Sequence, residues 1–303
     1  MSTAFLFPGQ GAQTVGMGRE LAATVPAAKA IFEKANEILG YDLASICFDG
    51  PAEKLDSTVY SQPALFVTSV AALATMNETI PDVVESCQYA AGLSLGEYTA
   101  LFFANVLDFE DALRLVAERG AAMQAASDAT PSGMVSILGL DREKVEQLCR
   151  ESAQGDVLQV SNLLCPLNIV VSGTKAACQR AIDAAALAGA MKTVSLAVAG
   201  AFHTPIMQPA VERLTSALKN VEFRQPRIPV VSNVDARPHD DPEKIRGLLV
   251  QQLVRPVLWE DSMSYLLAHG LKRVYEVGPG RVLRGLMKRI DRRLDCQGVM
   301  EGA

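Results

Sequence analysis

YAAGLSLGEYTALF, residues 89–102, contains the pattern Gly-x-Ser-x-Gly at residues 92–96. A short run with strand composition precedes Ser94, and a helical stretch over residues 97–103 follows it. In this pattern the serine lies on a sharp turn between a strand and a helix, where its hydroxyl is exposed, and the glycines permit the turn and the close approach of a substrate. The stretch therefore predicts an α/β protein with Ser94 as a candidate nucleophile. A serine that only caps the helix is the alternative.

The same alternation of short strands and longer helices extends along the chain, with predicted strands at residues 4–7, 87–91, 228–232 and 274–277. This rhythm is typical of an α/β fold with a parallel sheet. Between residues 132 and 198 the order becomes βαββαβ, which is that of the ferredoxin-like unit. We therefore expect an inserted ferredoxin-like subdomain at residues 131–198, and a parallel-sheet subdomain built from residues 1–130 and 199–303.

The composition, 49% apolar and 20% charged residues, is that of a globular protein. A net charge of −6 argues against nucleic-acid binding. Six cysteines without a C-x-x-C pair favour reduced thiols in the cytoplasm, and the three histidines form no cluster with cysteines that would suit a metal. The N-terminus lacks the features of a signal peptide, and Asp183 and Lys192 interrupt the Ala-rich run 181–202, so no membrane association is expected.

A serine nucleophile needs a base, which is usually histidine. His239 lies in the polar turn DARPHDDPE and is expected to be solvated, and His269 precedes Gly270 at a predicted helix C-terminus. His203, in VAGAFHTPIM, follows an apolar strand-like run and is therefore the expected base. A hydrogen-bonded core histidine is the alternative. No acidic residue near a predicted strand end is suited to orient the imidazole, which leaves a backbone carbonyl or an amide side chain.

A glycine-rich loop, FPGQGAQTVGMG at residues 7–18, follows the first predicted strand. Met17 and Thr14 stand where the Walker and dinucleotide patterns require lysine and glycine. The loop is therefore not a nucleotide motif. It can supply an oxyanion-hole amide or be a plain tight turn.

Arg119 lies in the predicted helix over residues 108–126, on the same face as the apolar stripe Phe109, Ala112, Val116 and Met123. A guanidinium that faces a core must find an anion or several carbonyl groups, because an unpaired buried charge is costly. Arg119 therefore either pairs with a protein carboxylate or binds a substrate carboxylate.

Six motifs spread over the whole chain carry a resemblance to a known family: FPGQGAQ (7–13), QPALF (62–66), GLSLGEY (92–98), RGAAMQ (119–124), GAFH (200–203) and YEVGPGRVL (275–283). The chain resembles malonyl-CoA:acyl carrier protein transacylases and the acyltransferase domains of polyketide synthases. The resemblance implies an α/β-hydrolase-like large subdomain with an inserted ferredoxin-like one. It also implies malonyl transfer from malonyl-CoA to holo acyl carrier protein for fatty acid synthesis, with no metal or bound cofactor.

The resemblance implies a role for each matching residue. Ser94 would carry the malonyl group, His203 would be its base, and the backbone carbonyl of Gln252 would orient that base. The remaining roles are oxyanion-hole amides from Gln10 and Leu95, malonyl-carboxylate binding by Arg119, further pocket positions at Gln62 and Asn162, and selection against a C2 methyl group by Phe202.

The chain also departs from the family's pattern. Leu93 stands where a histidine is frequent, and Leu164 and Asn168 stand in a loop that often reads Asn-x-Asn-x-Pro-x-Gln. These departures leave the nucleophile, the base and the arginine unchanged.

The segment from Lys272 to Arg293 holds eight basic and two acidic residues, an excess of six positive charges in a chain of net charge −6. Carrier proteins of this type are generally acidic, so this basic face is the expected docking surface. An ordinary solvated helix face is the alternative. Three other functions stay open at this point: a stand-alone polyketide-type acyltransferase, a serine thioesterase or acyl hydrolase, and a catalytically silent carrier-binding module.

Overall fold

The computed structural model describes residues 2–300. The strands are β1 Thr3–Phe7, β2 Tyr89–Gly92, β3 Ser132–Leu138, β4 Leu158–Cys165, β5 Asn168–Thr174, β6 Lys192–Ser195, β7 Val230–Val231, β8 Val257–Leu258, β9 Arg273–Glu276 and β10 Asp295–Gly298. The helices are α1 Arg19–Thr24, α2 Pro26–Leu39, α3 Leu43–Asp49, α4 Ala52–Asp56, α5 Thr58–Thr79, α6 Pro81–Glu85, α7 Gly96–Phe103, α8 Phe109–Ala129, α9 Arg142–Ala153, α10 Lys175–Leu187, α11 Gln208–Leu218, α12 Pro242–Gln252, α13 Trp259–Ala268 and α14 Val282–Ile290. A 3₁₀ turn spans Pro205–Met207.

The first sheet has the strand order β10-β9-β1-β2-β7, and all its strand pairs are parallel. The predicted α/β fold with a parallel sheet is therefore confirmed. In the pairing of β1 with β2, Phe7 lies opposite Gly92, so both strands end at the same edge. The glycine-rich loop after β1 and the turn that carries Ser94 consequently meet at the carboxyl edge of this sheet.

The second sheet has the order β6-β3-β5-β4-β8. Its first four strands pair antiparallel, and they come with α9 and α10 in the predicted order βαββαβ. The fifth strand, β8, was not predicted. It comes from residues 257–258 and pairs parallel with β4, which joins this sheet to the chain segment after α12.

Helix α5 lies in the core beside α8. Gly120 of α8 allows the two helices to approach closely, since a Cβ at this position would lie 2.6 Å from the carbonyl oxygen of Thr58. Among residues 2–300, α5 is the one helix long and apolar enough to cross a membrane, but 78% of its apolar window is buried inside the protein. Its apolar composition is therefore explained by its place in the core.

Candidate active site

Ser94 lies in a tight turn between β2 and α7, at a φ of 52°. A Cβ on Gly92 would lie 1.8 Å from the carbonyl carbon of Gly96, and a Cβ on Gly96 would lie 2.1 Å from the Phe7 carbonyl oxygen. Only glycine fits at either position. The two glycines thus let the turn pack against β1 and hold Ser94 in a conformation that most residues avoid.

The hydroxyl of Ser94 is hydrogen-bonded to His203, with 2.9 Å between Oγ and Nε2. The other ring nitrogen, Nδ1, lies 2.7 Å from the backbone carbonyl oxygen of Gln252. Since a carbonyl only accepts, Nδ1 carries the proton of the neutral ring and Nε2 is left as the acceptor for the Ser94 hydroxyl. The Ser94 hydroxyl, the His203 imidazole and the Gln252 carbonyl, which the sequence motifs and the family resemblance predicted to act together, are therefore in contact.

His203 is 3% exposed. Burial and, to a smaller extent, the nearby charge of Arg119 lower its pKa to about 4, although the hydrogen bond to Gln252 opposes the shift. The imidazole is therefore neutral at physiological pH, the state in which it can accept a proton.

Arg119 reaches the same hydroxyl from helix α8. Its Nη2 donates to Ser94 Oγ at 2.9 Å and to the side-chain oxygen of Gln252 at 2.9 Å, and its Nη1 donates to the side-chain oxygen of Gln62 at 2.7 Å. The prediction that Arg119 points into the core is confirmed, because this side chain is 1% exposed.

No carboxylate lies within ion-pair distance of Arg119 among residues 2–300. Its hydrogen-bond partners are all neutral oxygens, and its Nε has no partner. Burial accordingly lowers the pKa of this guanidinium, and the nearby Tyr98 and Glu97 only partly offset that effect. Of the two alternatives for Arg119, pairing with a protein carboxylate is excluded within the described residues.

Ser94 opens on a cavity of about 160 Å³ between the two sheets. Arg119, Gln10, Leu95, Asn162 and Phe202 also line this cavity. Gln62 lies behind Arg119, where its amide nitrogen also contacts the Met123 sulfur at 3.4 Å. All the residues predicted for the site are therefore brought together around one serine.

Two backbone amides beside Ser94 are free to bind a ligand atom. Within the described part of the chain, the amides of Gln10 and Leu95 donate to no protein group. Leu95 immediately precedes α7, so its amide lies at the positive end of that helix. Both residues line the cavity on which Ser94 opens, so the two amides are available as oxyanion-hole donors.

Two residues that sequence reasoning missed hold the turn in place. Asn233, just after β7, accepts a hydrogen bond from Ser94 N at 2.6 Å and donates one to the Gly92 carbonyl at 2.7 Å. Glu97 is 3% exposed and accepts hydrogen bonds from Asn233 N at 3.1 Å and from Gln252 Nε2 at 2.7 Å. Their positions in the sequence could have indicated them, because polar residues that follow a strand of a parallel sheet lie together at its carboxyl edge.

The family departures fall in different places. Leu93 and Leu164 line the cavity. Asn168, which lies opposite Leu138 in the pairing of β3 with β5, accepts a hydrogen bond from Ser136. His239, which was expected to be solvated, is partly exposed at 21% of its side chain, and its Nε2 lies 2.8 Å from Asp235 Oδ2. His269 ends α13, as predicted.

The fold and the site define an α/β protein of the acyltransferase class, since the family described as "Acyl transferase domain" matches residues 4–292. A malonyl CoA-acyl carrier protein transacylase of Bacillus subtilis is 42% identical over 301 residues, which cover 98% of this chain and 93% of that protein. The crystal structure of an acyl-carrier-protein S-malonyltransferase from Bartonella henselae is 37% identical, with a TM-score of 0.96 over 100% of this chain and 96% of that one.

A third relative is a malonyl-transacylase solved in complex with a type II polyketide synthase acyl-carrier protein. It is 40% identical, with a TM-score of 0.94 over 98% of this chain and 96% of that one. The chain belongs to the malonyl CoA-acyl carrier protein transacylase family, as its motifs implied.

Proposed function

We propose that this protein transfers the malonyl group of malonyl-CoA to the phosphopantetheine thiol of holo acyl carrier protein, through a malonyl ester on Ser94. One observation carries the proposal: a histidine and a buried guanidinium, which has no carboxylate partner in the described part of the chain, both lie 2.9 Å from the same serine hydroxyl. The histidine suits an acyl-transfer nucleophile, and the guanidinium suits an acyl group that ends in a carboxylate.

In the first half-reaction His203 Nε2 takes the proton of Ser94 while Oγ attacks the malonyl thioester carbon. The negative charge that develops on the carbonyl oxygen is stabilised by the amides of Gln10 and Leu95. The carbon–sulfur bond then breaks, and the proton held by His203 goes to the CoA thiolate. The Gln252 carbonyl keeps the imidazole in the tautomer that this step needs.

Arg119 supplies the selectivity for malonyl. Its partners at present are neutral oxygens, which a carboxylate can replace with stronger, charge-assisted hydrogen bonds. Gln62 holds one edge of the guanidinium. Asn162 and Phe202 form part of the wall around the acyl group, where the Phe202 ring leaves less room for a C2 methyl group.

In the second half-reaction the carrier thiol gives its proton to His203 and attacks the malonyl ester, which regenerates the Ser94 hydroxyl. Because CoA leaves before the carrier reacts, the kinetics are ping-pong. The proposed steps use no metal ion or bound cofactor, and malonyl-CoA is a substrate. The proposed location of this reaction is the cytoplasm.

The two sheets support the proposed organisation into two subdomains. The antiparallel strand order β6-β3-β5-β4, with both helices packed on it, supports a ferredoxin-like subdomain at residues 131–198. The parallel sheet and its serine turn support an α/β-hydrolase-like subdomain from residues 1–130 and 199–303. The cavity between the two sheets is where the acyl group would lie.

The carrier would dock on the basic face, Lys272 to Arg293. Four of its eight basic side chains are engaged within the protein. Arg273 pairs with Asp295 at 2.5 Å, Arg284 with Glu276 at 3.5 Å and Arg293 with Asp291 at 3.5 Å, and Arg289 donates to the Pro166 carbonyl at 3.3 Å. Arg281, Lys288 and Arg292 are exposed. Helix α14 of this face also contributes Val282 and Leu286 to the cavity, so an acidic carrier bound here would lie beside its mouth.

Supply of polyketide synthesis is the second candidate function, favoured by the relative solved with a type II polyketide synthase carrier. The chemistry on Ser94 is the same in both cases. Comparing kcat/KM for a fatty-acid carrier and a polyketide carrier distinguishes the two pathways.

The proposed function is tested with malonyl-CoA and holo carrier protein by intact-protein mass spectrometry. We expect a malonyl adduct on the enzyme that chases onto the carrier, and no adduct on Ser94→Ala. Release of free malonate without malonyl carrier would instead identify a thioesterase. Carrier binding without any adduct on the wild-type protein would identify a non-catalytic binding module.

A further inference from the structure

Glu97 is a buried carboxylate that the proposed reaction does not use. It belongs to the first turn of α7, three residues after Ser94, and no lysine or arginine lies within ion-pair distance of it in the described part of the chain. Burying a carboxylate in this way is costly unless hydrogen bonds compensate for lost water. The bonds from Asn233 N and Gln252 Nε2 are that compensation.

Gln252 connects Glu97 to both halves of the site. Its backbone carbonyl orients His203, and its side-chain oxygen accepts from Arg119 Nη2 at 2.9 Å. Its side-chain nitrogen donates to Glu97 at 2.7 Å and to the Ser94 carbonyl at 3.1 Å. Both N–H groups of the amide and its oxygen are thus hydrogen-bonded.

The orientation of this amide is fixed by what surrounds it. The carboxylate of Glu97 and the carbonyl of Ser94 can only accept, so they require the NH₂ group on their side. The guanidinium of Arg119 can only donate, so it requires the oxygen. A rotated amide would place its oxygen against the acceptor oxygens of Glu97 and Ser94, and its NH₂ group against the donor groups of Arg119.

We propose that Glu97 is a positioning residue for malonyl recognition, which fixes the side-chain amide of Gln252 and, through it, the guanidinium of Arg119 opposite Ser94. The inference rests on the proposed function. Glu97 touches neither the substrate nor the reacting atoms, and the His203 contact is to the Gln252 backbone. Loss of the Glu97 charge should therefore affect carboxylate recognition more than acylation itself.

The test is single-turnover acylation of Ser94 by malonyl-CoA and by acetyl-CoA in the wild type and in Glu97→Gln. This variant keeps the size of the side chain, but its NH₂ group can donate to the oxygen of a rotated Gln252 amide, so that only Arg119 and the Ser94 carbonyl still oppose the rotation. We expect the apparent KM for malonyl-CoA to rise about tenfold, with the acetyl rate changed by less than about threefold. An unchanged preference for malonyl over acetyl would overturn the proposal.

Glu276→Gln is the matched control. Glu276 is also buried, at 1% exposed, but it accepts hydrogen bonds from the amides of Leu283 and Arg284 at the start of α14. We expect this variant to lose stability without a change in the malonyl-to-acetyl ratio. An equal fall of that ratio in both variants would show a general structural effect and would refute the specific role of Glu97.

Gln252→Leu tests the contact between Glu97 and Gln252 by changing its second member, and it replaces Glu97→Gln in the test if that variant does not fold. It removes the amide and keeps the backbone carbonyl that orients His203. We expect the same loss of malonyl preference, and in the double variant no further loss, since both changes break one chain of contacts. Additive losses, or a preference equal to the wild type in Gln252→Leu, would count against the proposal.

The pH profile is a second readout. Burial raises the pKa of Glu97 to about 7, although the hydrogen bonds from Asn233, Gln252 and Ser232 and the charge of Arg119 oppose the shift. The ionisable groups that face this carboxyl are Arg119 and the adjacent Tyr98, and neither changes charge near pH 7.

We therefore expect malonyl acylation to fall as the pH drops through about 7, where Glu97 takes up a proton. Glu97→Gln should lack this step. His203, with a pKa of about 4, titrates below it. The same step in both proteins would overturn the assignment. Absence of any malonyl adduct on the wild type would instead reject the proposed function, so the two failures are distinguishable.

Discussion

Arg119 stands at a position where helix α8 otherwise buries apolar side chains. Ala112, Val116 and Met123 of the same face are buried, and Arg119 is buried with them although it is charged. Its hydrogen-bond partners are neutral oxygens, and its Nε has no partner, so neither its charge nor all its donors are matched by the protein. At the scale of one residue, the proposed selectivity for malonyl rests on this buried cation, which has no carboxylate partner among residues 2–300.

We predict that Arg119→Ala loses about 100-fold or more in kcat/KM for malonyl-CoA, because a site built to bond a polar group discriminates strongly on that group. Acylation by acetyl-CoA should change much less, which gives a relaxed selectivity. Arg114→Ala is the control, since Arg114 is exposed on the same helix and pairs with Glu110. Retained preference for malonyl in Arg119→Ala would refute the role of the guanidinium.

At the scale of one element, the turn between β2 and α7 fixes the position of Ser94. Its glycines are required by contacts with backbone atoms, which cannot move aside as a flexible side chain can. Gly247, in α12, is the opposite case, because a Cβ there meets no atom within 4 Å. Substituting alanine at Gly96 and at Gly247 therefore distinguishes the steric requirement for glycine from the effect of helix propensity.

Gly96→Ala is expected to lower the free energy of unfolding by about 2–3 kcal/mol, because the added methyl group overlaps the Phe7 carbonyl. Gly247→Ala is expected to raise it by about 0.5–1 kcal/mol, since alanine favours a helix interior over glycine. Urea unfolding followed by circular dichroism measures both. Equal stability of the two variants would contradict the tight packing of the turn.

For the whole molecule, the relevant feature is the distribution of charge. The chain has a net charge of −6, yet the segment from Lys272 to Arg293 carries an excess of six positive charges. A local basic patch on an acidic protein can steer an acidic partner even though the net charges repel.

Reversing two charges, Lys288→Glu with Arg292→Glu, should lower kcat/KM for the carrier by about tenfold at low ionic strength, and by less at high salt. Malonyl-CoA acylation of Ser94 should stay close to the wild-type rate. Lys175→Glu, an exposed position at the start of α10, controls for the change in total charge. If all three proteins transfer to the carrier equally well, the basic face is not the docking surface.

The sequence by itself determined the strands other than β8 and β10, the helix that carries Arg119, the serine turn and the histidine that faces it. These features follow from local periodicity, from glycine spacing and from a choice among only three histidines. The inward position of Arg119 was equally readable, because helical spacing places it on the apolar stripe.

The tertiary structure alone decided the partners of these residues. Asn233 holds Ser94 across 139 positions of sequence, Gln252 meets Glu97 across 155, and β8 completes a sheet whose other strands lie before residue 196. The physical reason is that such contacts depend on strand order and register, which only the packing of the whole chain fixes. A buried carboxylate in the first turn of a helix is indistinguishable in sequence from an exposed one.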